Sequence, residues 1–325
     1  MNVTIDFGGT NIKIGLVQEG AVLAKTSIPA NSGDGMLARL PEAERAVRGL
    51  LAGAGADLGQ CEGVGLSLPG IVDTGRKTLV SIKGKYTDAI GYDYAGWAKA
   101  AFGLPLAVEN DARAALLGEV AYGAARGERD AVLVIFGTGI GTAAMMEGRV
   151  VRGKHDQAGI LGGHLTTDVY GVRCACGNPG CLEAQASHWS IPQRAAKLPG
   201  FAASALAREN GWGYEAIVKA ALEGDRFANR LLDDLIVHWR AGIVNLIHAY
   251  DPEVVILSGG LMKSADVLLP RLTERLEASA WLSWGAPRFV VAQDPETSAL
   301  LGMSYLVSRQ LAGADAERNR SPEKA

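Results

Sequence analysis

His164, Cys174, Cys176 and Cys181 stand in one short stretch of chain. One imidazole and three thiolates form a closed tetrahedral donor set suited to structural Zn²⁺. In a reducing compartment that reading beats a disulfide. Gly177, Pro179 and Gly180 would let the loop fold around the ion. The fourth cysteine, Cys61, lies beside an apolar run and reads as core. A second kind of chemistry is suggested by Asp6-Phe7-Gly8-Gly9-Thr10-Asn11-Ile12-Lys13. Two glycines in a hairpin let backbone N–H groups converge on a phosphate. Thr10 and Asn11 add donors, Lys13 adds a charge, and Asp6 is placed to hold Mg²⁺ through water. A plain turn accounts for the glycines, but not for the acid before them and the lysine after.

Gly137-Thr138-Gly139-Ile140-Gly141 would make a second phosphate clamp in the other half of the chain. It is weak evidence alone and stronger paired with the first. Asp111, in Val108-Glu109-Asn110-Asp111-Ala112, falls where a strand passes into a helix, a place where α/β proteins put ligands. It is positioned to take a proton from a hydroxyl, and the competing reading is a helix N-cap. Gly259-Gly260 after a strand suits a nucleotide lying flat against backbone, with an ordinary strand-to-helix turn as the rival.

The elements that must hold these residues follow from periodicity. Val3, Ile5 and Phe7, then Ile12, Ile14 and Leu16, alternate as two strands around the first glycine pair, and Glu19-Gly20 turns into a third. Residues 131–146 repeat the strand, glycine turn and strand pattern, a weak internal repeat. Helices are expected from Pro41, around Trp97 to Phe102, from Ala112 to about Tyr122, over 229–250, and over 298–311. Alternating strands and helices indicate an α/β fold with a largely buried sheet.

The 325 residues include 42 glycines, nearly double the average share of about 7%. They cluster at the strand ends named above. A net charge of −3 and a pI near 6.0 argue against nucleic acid or an anionic membrane as partner. No apolar run spans a bilayer, and the first residues read as a strand rather than a signal peptide, so a cytoplasmic protein is expected.

In this order the motifs resemble the ROK family (repressor, ORF, kinase) of bacterial sugar kinases and sugar-sensing repressors. The match runs from Ile5 to about Gly302 and includes Pro69-Gly70 and Ser258-Gly259-Gly260. The resemblance implies a hexokinase-like, two-lobed, actin-like ATPase (ribonuclease H-like) fold with an inserted zinc loop. ATP and sugar would meet in a cleft, in a homodimer or homotetramer. One lobe would be residues 1–112 plus 297–312 and the other 113–296, followed by a disordered tail over 313–325. The implied activity is ATP-dependent phosphorylation of a sugar hydroxyl. By position Asp111 would be the base, and Asn110, Gly70, Glu183 and His164 would contact the sugar, with His164 also on zinc.

Three positions depart from the family pattern. Leu161 stands where the family's sugar kinases carry a glutamate, Ser81-Ile82-Lys83-Gly84-Lys85-Tyr86 lacks a sugar-binding asparagine, and Arg113 replaces another asparagine. A lost acid and gained lysines would suit an acidic, phosphorylated or otherwise atypical polyol; the alternative is that Lys83 and Lys85 are solvated loop charges. Two rivals to the kinase are a non-catalytic sugar-binding relative and a repressor. Repressors carry a helix-turn-helix before the first phosphate motif, which here begins at Ile5, so the repressor is disfavoured.

Overall fold

The computed structural model describes residues 1–208, 211–274 and 276–318, with the backbone alone for 277 and 313–318. These pack into two compact units. The first comprises Met1–Gly127, Arg152–Gln157 and the described chain from Gln293 onward; the second comprises Glu128–Val151 and Ala158–Ala292.

In the first unit β1 (Asn2–Phe7), β2 (Asn11–Gln18) and β3 (Ala21–Pro29) form the expected meander. Helix α1 (Leu40–Gly53) follows, burying Leu40, Ala43, Val47 and Leu51 on one face. Next come β4 (Gly63–Leu68), a small hairpin of β5 (Ile71–Asp73) and β6 (Thr78–Ser81), α2 (Tyr94–Phe102), β7 (Leu106–Asn110) and α3 (Asp111–Ala121). The main sheet has the order β3-β2-β1-β4-β7, with β1, β4 and β7 parallel. These three strands are buried along their whole length, as parallel strands covered on both faces must be. Their carboxyl ends therefore lie side by side, with Asp6 in register with Ser67 and Ser67 with Glu109.

The second unit repeats this plan. Strands β8 (Ala131–Phe136), β9 (Ile140–Met146) and β10 (Arg149–Val150) form an antiparallel meander. After the cysteine-bearing loop come α4 (Leu182–Ala186), α5 (Ile191–Ala195), α6 (Tyr214–Leu222) and the long α7 (Arg226–Tyr250). Strand β11 (Val254–Gly259), helices α8 (Ala265–Thr273) and α9 (Leu276–Ser279), and β12 (Arg288–Val291) complete the unit. The sheet order is β10-β9-β8-β11-β12, the same succession of hairpin strands and parallel strands as in the first unit. The weak sequence repeat is thus two copies of one strand topology. Helix α7 is capped by Asp225, whose Oδ1 accepts the N–H groups of Phe227 and Ala228. It ends at Asp251, in left-handed conformation just before Pro252.

The closing helix α10 (Ser298–Arg318) returns to the first unit and packs on α3 and on β1, β4 and β7. It runs seven residues past Leu311, to Arg318; residues 319–325 of the expected tail lie outside the described residues. Helix α3 also belongs with the first unit, where the sequence boundary gave residues 113 onward to the second. The reason is a backbone-to-backbone crossing: a Cβ on Gly118 would land on the Ser298 carbonyl, and one on Gly302 on the Ala114 carbonyl. Only glycine permits that approach. Gly302→Ala is expected to fold but lose about 1–3 kcal/mol, read from denaturant midpoints, because the two helices must move apart. Among the described residues no helix is long and apolar enough to cross a membrane.

Candidate active site

In the first unit the strand ends gather the carboxylates. Asp6, buried at the end of β1, accepts the Ser67 hydroxyl at 2.5 Å. Burial pushes its pKa up, against the Ser67 bond and the nearby charges of Lys13 and Lys85, with Glu296 adding to the rise. Ser67 could not be foreseen as its partner, because the pairing depends on the parallel register of β1 and β4.

At the head of α3 the capping role that the sequence left open falls mainly to Asn110. Asn110 is the N-cap: its Oδ1 accepts the N–H groups of Ala112 (3.0 Å) and Arg113 (3.2 Å). Its Nδ2 donates to the Gly70 carbonyl (3.0 Å) and to Asp111 Oδ1 (2.9 Å). The Asn110 side chain is thus engaged in holding its neighbours. Gly70 sits at φ 89, and a Cβ there would meet the Ser81 carbonyl oxygen at 2.5 Å. Asp111 opens α3. Its Oδ1 also accepts the Ala112 N–H at 2.8 Å, while Oδ2 has no hydrogen-bond partner among the described residues. Its pKa is pushed up to about 6, first by burial and then by the Asp6 charge; the Ala112 N–H, Lys85 and Asn110 oppose the rise. A half-buried carboxylate with one oxygen fixed and a pKa near neutrality is equipped to accept a proton.

The first glycine turn presents less backbone than its sequence suggests. The Gly8 N–H is turned back onto the carbonyl oxygens of Asp6 and Asn11, whereas Gly9, Thr10 and Asn11 are exposed. Lys13 lies opposite Asp6 on β2 and pairs with Glu296 at 3.1 Å. Lys83 is exposed, as a solvated loop charge should be, but Lys85 is not: its ammonium lies against Gly9.

Arg113 is wholly buried. It pairs with Glu109 at 3.6 Å and donates to the Asp156 carbonyl at 3.0 Å; Arg152 also pairs with Glu109. Two cations on one buried acid hold residues 152–157 against the carboxyl end of β7, next to Asn110 and Asp111. No periodicity in the sequence signals this, because α3 is buried nearly all round.

In the second unit His164, Cys174, Cys176 and Cys181 converge, with all four donor atoms within 4.8 Å of one another. His164 Nδ1 lies 3.6 Å from Cys174 Sγ, and the Cys176 and Cys181 sulfurs are 3.5 Å apart. A tetrahedral zinc with bonds of about 2.3 Å needs sulfurs about 3.8 Å apart, so the donor set fits. Burial pushes Cys174 up to about 12 and raises Cys181 as well. Without an ion these are neutral thiols, and a cation bound among them would supply the charge that lets them ionise and act as ligands. Gly180, at φ 68, lies against the Asp168 carbonyl, and Asn178 donates to Cys181 Sγ at 3.3 Å. Cys181 is the residue before α4, so the cluster sets the start of the helix carrying Glu183.

Glu183 reaches the second glycine loop, its Oε2 accepting the Ile140 N–H at 3.1 Å. Within that loop the Gly137 N–H bonds to the Gly139 carbonyl, and the Thr138 carbonyl accepts the Trp189 N–H; Gly141 follows on β9. Leu161 is an exposed apolar side chain. Gly259, at φ 91, lies on the Phe136 backbone, which frees the chain to turn at Gly260. Gly260 borders a cavity of about 480 Å³ lined also by His188, Trp212, Tyr214, Lys219 and Lys263. The sequence pointed to the glycines but not to this cavity, whose walls come from distant segments.

The ROK family's sequence model matches residues 2–310. The chain belongs to the ROK family. Among its relatives in that family is the glucokinase of Thermotoga maritima, 28% identical over 321 residues that cover 96% of this chain and 98% of that enzyme. The solved structure of a ROK family glucokinase from Streptomyces griseus in complex with glucose and AMPPNP matches with a TM-score of 0.77. It is 27% identical, over 95% of this chain and 99% of that one. The xylose repressor of Bacillus subtilis is 25% identical over 246 residues, which are 75% of this chain and 60% of the repressor. The expected α/β fold of ROK sugar kinases, with its Cys/His loop, is therefore the fold observed. The kinase relatives support sugar kinase chemistry as a class.

Proposed function

We propose that this ROK protein is an ATP-dependent sugar kinase in which Asp111 is the general base. The observation that carries the reading is the division of labour at the head of α3. Asn110 takes the capping duty, and Asp111 is left beside Asp6 with an uncommitted oxygen and a pKa of about 6. In the reaction an acceptor hydroxyl oxygen forms a bond to the γ-phosphorus of ATP as the bond to the ADP oxygen breaks. The hydroxyl proton passes to Asp111. Because such transition states are loose, the base acts late and needs no stronger basicity than this. Gly9, Thr10, Asn11 and Lys13, and likewise Gly137, Thr138, Gly139 and Gly141, are assigned to the phosphates, and Gly259 and Gly260 to the nucleoside. Gly70, Asn110, His164 and Glu183 are assigned to the sugar, with Asn110 acting through Gly70 and Asp111.

Asp6 would hold Mg²⁺ through water; the ion would neutralise charge on the triphosphate. The Cys/His set would hold a zinc ion whose role is to order its loop. ADP release coupled to a spectroscopic readout, screened across neutral hexoses, amino sugars, polyols and sugar acids, tests the reading. Turnover with at least one class is expected. ATP left intact with every class would favour the second reading, a sugar-binding relative without turnover, to which Leu161 and the repressor relatives lend support.

A further inference from the structure

Lys85 is held in place by its neighbour. Tyr86 is buried, adopts a left-handed backbone (φ 56), stacks edge-on with Phe7 at 6.4 Å and donates its hydroxyl to the Gly8 carbonyl at 2.9 Å. That bond staples the segment after β6 to the first glycine turn. Lys85 is thereby laid across Gly9, where a Cβ would fall 2.5 Å from Lys85 Nζ. Among the described residues no carboxylate pairs with this ammonium, whereas Lys13 is paired with Glu296. Its charge nevertheless acts on both Asp6 and Asp111.

We infer that Lys85 is a catalytic residue whose ammonium contacts the transferring phosphoryl group, an inference that rests on the kinase reading. The lysine lies in the field of the proposed Mg²⁺ ligand and the proposed base, and such a cation stabilises charge on the equatorial oxygens as the γ-phosphorus passes from ADP to the acceptor. The segment's two ends separate this role from recognition of an acidic acceptor. Ser81 and Ile82 border Gly70, on the side assigned to the sugar, while Lys85 lies at the other end, on the phosphate turn. A cation serving an anionic acceptor belongs at the first end.

The test uses the full chain, with MgADP alone and MgADP plus beryllium fluoride, a mimic of the γ-phosphoryl group, as probes in titration calorimetry. Lys85→Met should bind MgADP within about threefold of the parent but lose about tenfold or more for the beryllium fluoride complex. Its kcat should fall about a hundredfold with the sugar KM little changed, and Lys85→Arg should recover part of the loss. Equal binding of the beryllium fluoride complex by parent and variant overturns the inference. So does a raised KM at unchanged kcat, which would assign Lys85 to the acceptor. Should Lys85→Met fail to fold, Lys85→Gln carries the same test. If the parent turns over no sugar the kinase reading falls, while the beryllium fluoride titration still decides the contact.

Discussion

Asp111→Asn is expected to bind sugar and nucleotide much as the parent does and to lose about 10²–10⁴ in kcat. Asparagine keeps the shape and can still accept the Ala112 N–H, so the head of α3 stays capped by Asn110 and nothing else need move. What it cannot do is take the proton. A variant with near-normal kcat removes Asp111 from its role. The same substitution should raise stability near neutral pH. The folded pKa of Asp111 is raised from the ordinary carboxylate range to about 6, so its contribution to stability is fully present below about pH 4 and is lost as pH rises through 6. At pH 7–8 the parent therefore bears the cost of a desolvated charge that asparagine lacks. The melting temperature of Asp111→Asn should exceed the parent's by a few degrees there, and the gap should close as pH falls toward 4. In the parent, kcat/KM should show an acid limb near pH 6. Loss of activity together with a stability gap that varies with pH identifies a strained, ionised base; loss of activity alone would fit misfolding equally well.

This pairing of strain and function explains what the sequence could and could not disclose. The strand alternation around each glycine turn is local, and both hairpins form where the pattern places them. The Cys/His donors are also local, and all four converge. Asn110 and Asp111 were ambiguous because both are good caps; the Asn110 Oδ1 takes the Ala112 and Arg113 N–H groups, with its Nδ2 held by the Gly70 carbonyl forty residues away. Ser67 reaches Asp6 through a parallel register that no short-range pattern encodes. Arg113 lies in a helix with almost no exposed face, so amphipathic periodicity was absent where the buried Glu109–Arg113–Arg152 set needed to be seen. Lys83 and Lys85 look alike in sequence. They differ because Tyr86 anchors one to a turn lying nearly eighty residues before it. In each case the missing information is tertiary: which distant element a polar side chain must face to offset its burial.

The Cys/His loop offers a test in which sequence and structure agree on the residues but the consequence reaches further than the four donors. Cys181 immediately precedes α4, and Glu183 lies two residues beyond it, with its carboxylate on the Ile140 N–H at the mouth of the second glycine loop. Elemental analysis is expected to find about one zinc per chain, and Cys181→Ser or exhaustive chelation should remove it. Without the ion, three sulfurs and an imidazole lose their common partner, and the loop over 164–181 should become a site of rapid proteolysis. The effect on catalysis should then be selective. Glu183 also holds the Ile140 N–H beside the glycines assigned to the phosphates, so slow hydrolysis of ATP by water should fall as well, but less than kcat/KM for sugar, which should drop about 10–100-fold through Glu183 and His164. A metal-free chain that resists protease and phosphorylates sugar normally would refute the site. Equal loss of both reactions would show that the ion sustains the whole fold rather than the sugar-side residues alone.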